Sequence, residues 1–440
     1  MRTLFAGRAL AAFVGIVAPT NLWAQVDTSS AGEEFEEEGG WGAFEEAPVK
    51  TFETRIYGYI DAYFEQVADT PSSIDEEGNT LYEENPYEFD VLHLHLMVQG
   101  TIVGKYRYFL NIAAPGAGNV TDDEGLAVRN AWVEAPLVGN HLNIRVGKTY
   151  RRFGLYNEIL DAVPTFIGIE PPELFDNDHL LLTRTTNLML HGVATVSDTL
   201  ISYSIATGND ERQSKAFPLG LDVNVTFGSW LKLGTSFYTS GGKAGPSRSV
   251  GEGSPRGGVI NWMAEDTYYI FGGYAQLTKS GVTLQVEYWE ARHDAVRDPD
   301  SVAALADAGL NARQRDRFFV DIDTNSQQPA DVEYTVRTTY LRAGYDIPVG
   351  ENGFLITPYV QVDYYSNPET IASKSFGGDN EAGLSDNGKF IKATLGAVFR
   401  PVPQVALKVD GSIHIQDFNE KSVTYPEIRT SLSYLWDLGL

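Results

Sequence analysis

From Thr54 onward, apolar and polar residues alternate with a period of two, in runs separated by polar stretches. Period two places successive side chains on opposite faces of a β-strand. In residues 55–65, Ile56, Gly58, Ile60, Ala62 and Phe64 share one face. In 88–99, Leu92, Leu94, Leu96 and Val98 oppose His93, His95 and Gln99. In 105–114, Tyr106, Tyr108, Leu110 and Ile112 oppose Lys105, Arg107 and Asn111. The pattern returns in 127–135 and in the two strands that flank residues 148–182. It returns again in 199–207, 218–227, 230–238, 267–277, 282–289, 332–345, 354–365, 389–400 and 405–415, and from Ile428 on. Sixteen strands are predicted.

The connections between them alternate short and long. Short ones fall at 100–104, 136–140, 197–198, 228–229, 279–281, 348–353 and 401–403. Long polar ones fall near 66–87, 115–126, 148–182, 208–217, 239–266, 290–331, 366–388 and 416–427. Tight turns on one rim, extended loops on the other and an even strand number are the habit of transmembrane barrels. Near the C-terminus Leu432, Tyr434, Trp436, Leu438 and Leu440 are apolar at every second position, with Leu435 out of phase. This looks like the terminal signal read by the outer-membrane barrel assembly machinery, although most such proteins end in an aromatic residue and this one ends in Leu440. The predicted fold is therefore all-β: a 16-stranded antiparallel transmembrane β-barrel over residues 53–440, with short periplasmic turns and long extracellular loops. Sixteen strands give a barrel wide enough for an aqueous channel.

Residues 148–182 form a long connection inside an otherwise regular pattern. A loop of that length in a compact domain is usually functional or disordered. This one holds Phe153, Tyr156, Phe166, Phe175 and the rigid Pro171-Pro172 pair, which argues for order. It also carries Arg151 and Arg152, then Glu158, Asp161, Glu170, Glu173, Asp176 and Asp178. It is expected to fold into the lumen as a constriction loop.

Composition narrows the class. Aromatic residues make up 12% of the chain and it has 43 glycines, a mix suited to many strands and turns. There is no cysteine, hence no disulfide framework and no thiolate site. Arg2 and Arg8, the apolar run 9–18 and Leu22-Trp23-Ala24 read as a secretory signal over residues 1–24. No apolar stretch reaches the length of about 20 residues that a spanning helix needs. A span by this exported chain has to be a closed barrel. The net charge is −26. Residues 25–90 hold nineteen acids against two bases (Lys50, Arg55), so 25–52 read as an acidic, mobile N-terminal segment. No basic footprint for nucleic acid is present.

The segment Val146-Gly147-Lys148-Thr149-Tyr150-Arg151-Arg152-Phe153-Gly154 resembles the motif after strand five in Gram-negative porins of the phosphate-selective porin O and P family. Ile56-Tyr57-Gly58-Tyr59-Ile60-Asp61 resembles that family's first strand. Leu190-His191-Gly192, Ala206-Thr207-Gly208-Asn209-Asp210 and residues 357–365 resemble later ones. The similarity is spread over residues 54–440. It implies a 16-stranded, trimeric pore in the bacterial outer membrane, general or anion-preferring. Phosphate selectivity in that family rests on a basic lumen, and this chain is acidic, so the resemblance carries the pore role and not the solute.

With the apolar face toward lipid, the lumen-facing bases include Lys105, Arg107, Arg145, Lys392, Lys408 and Arg429. Lumen acids include Asp222, Glu287, Asp363, Asp410 and Glu427. Arg145, Lys148, Arg151 and Arg152, with the loop acids Glu158 and Asp161, are the candidates near the constriction. Opposed rows of bases and acids are expected to set up a transverse field, since lining charge and diameter govern selectivity. His93 and His95 share a face but are too few for a catalytic zinc site. There is no Gly-x-Ser-x-Gly elbow and no His-Glu-x-x-His, so no enzyme and no cofactor is expected. The functional expectation is passive diffusion of small hydrophilic solutes, in contact with outer-membrane lipid and lipopolysaccharide. The alternative is a barrel with a closed lumen whose long loops bind a surface partner.

Overall fold

The computed structural model describes residues 52–67, 70–74, 80–83, 87–115, 126–157, 162–169, 171–172, 185–208, 217–242, 262–307, 310, 312–350, 354–371, 385–418 and 421–438. The expected signal (1–24), all of the acidic segment except Phe52, and the candidates Glu158 and Asp161 lie outside the described residues.

Sixteen strands close into one antiparallel barrel. They are β1 (Phe52–Val67), β2 (Glu88–Ile102), β3 (Tyr106–Pro115), β4 (Ala127–Val138), β5 (Leu142–Thr149), β6 (Thr185–Val196), β7 (Thr199–Gly208) and β8 (Leu219–Phe227). The second half is β9 (Leu231–Thr239), β10 (Met263–Lys279), β11 (Val282–Arg297), β12 (Asp331–Tyr345, continued past Asp346 as Ile347–Val349), β13 (Phe354–Ser366), β14 (Lys389–Val402), β15 (Val405–Phe418) and β16 (Lys421–Asp437). Each strand pairs with its neighbours in sequence, and β1 pairs with both β2 and β16. Closure leaves no row of unpaired backbone groups, which hydrocarbon would not tolerate.

β15 shows how the alternation becomes two surfaces. Leu407, Val409 and Ile413 point outward and are 42%, 44% and 50% exposed, while Lys408, Asp410, Ser412 and His414 point inward and are at most 3% exposed. Outward rings mark the two ends of the apolar belt. Tyr106, Trp230 and Tyr434 lie toward the short turns, and Tyr269 and Tyr288 toward the long loops. Aromatic girdles of this kind sit at the two membrane interfaces.

Three strands run further than their apolar alternation. β10 starts at Met263, β11 continues to Arg297, and β16 starts at Lys421. The expected long loop at 416–427 is a tight connection instead, because Phe418 of β15 is registered directly with Lys421 of β16. The physical reason is that backbone pairing continues beyond the lipid band, where outward positions such as Ser422, Thr424 and Asp294 no longer need to be apolar. Period-two hydrophobicity ends where the bilayer ends, and the strand does not.

The long-loop rim carries ordered structure over β10–β14. Asp298 caps a short helix (Pro299–Ala304), accepting from the Ser301 amide at 3.1 Å, with Pro299 in the first turn. A second helix (Ala312–Phe318) brings Phe318 edge-on to Trp262 at 5.9 Å. Arg317 donates to the carbonyls of Thr370 and Asp386 at 2.9 and 3.0 Å, and Arg297 forms a two-pronged pair with Glu369. These bonds tie the loop after β11 to the loop after β13.

Candidate functional site

β5 ends at Thr149 and the chain turns into the barrel. Tyr150, Arg151, Phe153 and Tyr156 are buried. The Phe153 ring packs on Trp289 of β11 with centroids 4.4 Å apart. The Gly154 amide donates to Ser236 Oγ and the Leu155 amide to Glu287 Oε1, both at 3.1 Å. Gly154 has φ +64, and a Cβ there would lie 2.2 Å from Glu287 Oε2, so glycine is required twice over. Glu287 also accepts from Tyr340 Oη at 2.8 Å and Trp289 Nε1 at 3.0 Å. One buried carboxylate thus holds the segment to β11 and β12. Tyr156 donates to Gln285 at 2.7 Å and accepts from Arg342 of β12.

The segment then reaches a 3-10 turn at Val163–Thr165. Lys408 Nζ donates to the carbonyls of Val163 and Gly168 at 2.6 and 2.9 Å. Arg400 donates to those of Pro164 and Phe166 at 3.2 and 3.3 Å. Ile167 packs against Tyr359, Val398 and Ala406. Lys408 lies three residues from the start of β15 and Arg400 two from the end of β14, about 10 and 7 Å along their strands from the short turns. The segment therefore passes through most of the height of the barrel and binds the wall opposite its origin.

The remaining candidates fall into two wall clusters. In the first, Arg107, Glu134 and Arg145 are direct cross-strand neighbours on β3, β4 and β5. Glu134 accepts from Arg107, from Arg145 at 2.9 Å and from His191 Nε2 at 2.9 Å, and the Arg145 guanidinium lies 4.2 Å from the centre of the Trp132 ring. In the second, Glu427 meets Lys392 at 3.2 Å and His414 at 3.1 Å, while Arg429 pairs with Asp410 at 3.4 Å. Arg151 stacks over Tyr238 at 5.3 Å, and Arg152 donates to Ser202 at 3.1 Å. Within each cluster, bases and acids on adjacent or next-but-one strands pair along the wall.

Two candidates face elsewhere. Lys105 is exposed in the turn between β2 and β3, with its ammonium 5.3 Å from the Tyr106 ring centre on the outward side. Lys148 still belongs to β5, and three steps from the inward Arg145 leave it exposed on the outward face. Three residues central to the lumen, Glu134, His191 and Arg342, were missed. Glu134 and Arg342 alternate with the outward Val133 and Leu341, so their parity was a usable signal. Between the inward segment and the wall lies a cavity large enough for about one water, lined by Gly168, Ile169, Arg342, Lys392, Asp410 and Arg429 among others.

No family model and no curated protein matches this chain. Solved structures do. It superposes on the outer-membrane channel DcaP of Acinetobacter baumannii with a TM-score of 0.50 and 12% identity, covering 88% of this chain and 97% of that one. The anion-selective porin of Comamonas acidovorans gives 0.51 and 12%, covering 88% and 100%. OmpF of Salmonella typhi, solved with daunomycin, gives 0.52 and 13%, covering 87% and 97%. The chain has the fold of these outer-membrane barrels. At such identities the likeness is one of architecture.

Proposed function

We propose that this chain is a bacterial outer-membrane channel for passive diffusion of small hydrophilic solutes, narrowed by the segment after β5. The observation that carries the reading is that residues 150–157 and 162–169 lie in the lumen, the latter bound by Lys408 and Arg400 on the far wall. Arg107, Arg145, Lys392 and Arg429 have carboxylate neighbours, whereas Lys408 and Arg400 are held by backbone carbonyls, so the reading is a weakly selective pore with anions among the permeant solutes. Delivery by the barrel assembly machinery, contact with lipopolysaccharide and assembly as a homotrimer belong to the same proposal. The trimer rests on the sequence resemblance.

The test is single-channel conductance of the refolded protein in a planar bilayer, with the reversal potential under a salt gradient. Stepwise openings that grow when residues 158–175 are replaced by a short glycine linker support the reading. A second reading has a specific observation behind it. Most inward side chains described are buried, as in a closed barrel that binds a partner through its loops. Silence across many insertions favours that reading.

A further inference from the structure

On the outward face, β10–β12 carry a charged cluster. The parity that turns Leu284, Val286 and Tyr288 of β11 outward continues to Glu290 and Arg292. By register Glu290 faces Arg337 of β12, and Arg292 faces Tyr269 of β10. The Glu290 carboxylate is largely covered and accepts from Arg292 Nε at 2.6 Å, Arg337 Nε at 3.1 Å and Tyr288 Oη at 3.1 Å. The two arginine side chains are 53% and 51% exposed. Arg292 lies over the Phe271 ring at 5.1 Å, with one terminal nitrogen 3.4 Å from Tyr269 Oη. Each guanidinium holds the carboxylate through Nε.

The height of the cluster identifies its surroundings. The apolar face of β11 begins at Val282. A spanning strand takes about 9–11 residues, so Glu290 and Arg292 stand at the long-loop edge of the belt, just beyond Tyr288. Below them the wall is apolar through Val286, Leu284 and Leu341. The triad itself carries one net positive charge, on a chain whose total is −26, with the exposed acids Asp294 and Glu333 beyond it toward the long loops. A guanidinium fork fits a phosphate with two parallel bonds, and arginine is weakly enough hydrated to do so at an interface.

We propose that Arg292 and Arg337 bind the phosphate of an anionic lipid headgroup in the leaflet on the long-loop side, its acyl chains lying along β11 and β12. Glu290 positions both guanidiniums, and Tyr269 and Tyr288 frame the headgroup. The inference rests on the membrane placement above and not on conduction.

The test uses the refolded full chain in neutral detergent, titrated with lipid A carrying both phosphates and with dephosphorylated lipid A, and read by native mass spectrometry. The wild type is expected to bind the phosphorylated lipid about tenfold more tightly, the scale of a lost charge-assisted hydrogen bond. Arg292→Gln with Arg337→Gln erases that preference, and Arg292→Lys with Arg337→Lys restores part of it, each with the heat-modifiable gel mobility of a folded barrel. Equal affinity of the wild type for the two lipids overturns the proposal, and that comparison needs no variant. So does a preference that survives in the folded glutamine variant, or a substitution that changes only the oligomer mass, which would mark a contact between protomers. Conductance does not enter the readout, so a silent channel leaves the result unaffected.

Discussion

The Lys408 ammonium on β15 donates to the Val163 carbonyl at 2.6 Å, across 245 residues of chain. A base expected to face the lumen does so, and there it clamps the segment that enters it. Its second bond, to Gly168, closes the clamp around the 3-10 turn. If the chain conducts as proposed, the width of its pathway is set by how firmly this tip is held.

Replacing Lys408 with Met keeps most of the stem and removes both bonds. Hydrogen bonds to a charged group are worth about 1.5–3 kcal/mol each. Lys408→Met, which removes two of them, should loosen the tip by at least about 1.5–3 kcal/mol, raising single-channel conductance and open-channel noise. An unchanged conductance histogram would show that the tip is held by packing alone.

Glu287 gathers the Leu155 amide, Trp289 Nε1 and Tyr340 Oη on one buried carboxylate. In Glu287→Gln one of the two acceptor oxygens becomes an NH2 donor facing donors. A loss of about 1–3 kcal/mol follows, read as a lower temperature for heat-modified gel mobility. An unaltered transition would mean that Phe153 on Trp289 suffices as anchor.

The Glu134 cluster makes opposite predictions for its two sides. Glu134→Gln leaves Arg107 and Arg145 uncompensated and should move the reversal potential toward anion selectivity. Arg145→Gln should move it toward cations. Lys105→Gln and Lys148→Gln, both outside the lumen, should leave it where it is. A shift from either lysine would return that residue to the pore.

The outward face can be tested by depth. Val409→Arg places a charge in the apolar belt and should cost about 2–4 kcal/mol in urea unfolding from vesicles, against about 0–1 at the interface for Asp417→Arg. Equal costs would contradict the position assigned to the belt.

The sequence by itself determined the number of strands, their order, and which side chains on each face outward. Alternation is imposed residue by residue by the contrast between lipid and lumen, so it is legible without knowing what any residue touches. Leu407, Lys408 and Val409 declare their faces from three adjacent letters. The same reasoning contained the error at Lys148, since parity from Arg145 turns it outward once the strand is known to continue to Thr149. It also lost the strands beyond the bilayer, where the contrast vanishes and Phe418 still pairs with Lys421. Only the tertiary structure decided the depth of the segment after β5, the neutralisation of Arg107 and Arg145 by Glu134, and the gathering of donors on Glu287. Those contacts exist because barrel closure and strand register bring together residues with no local relation in sequence. Local hydrophobic pattern records the solvent on either side of a strand, and register alone selects the partner beside it.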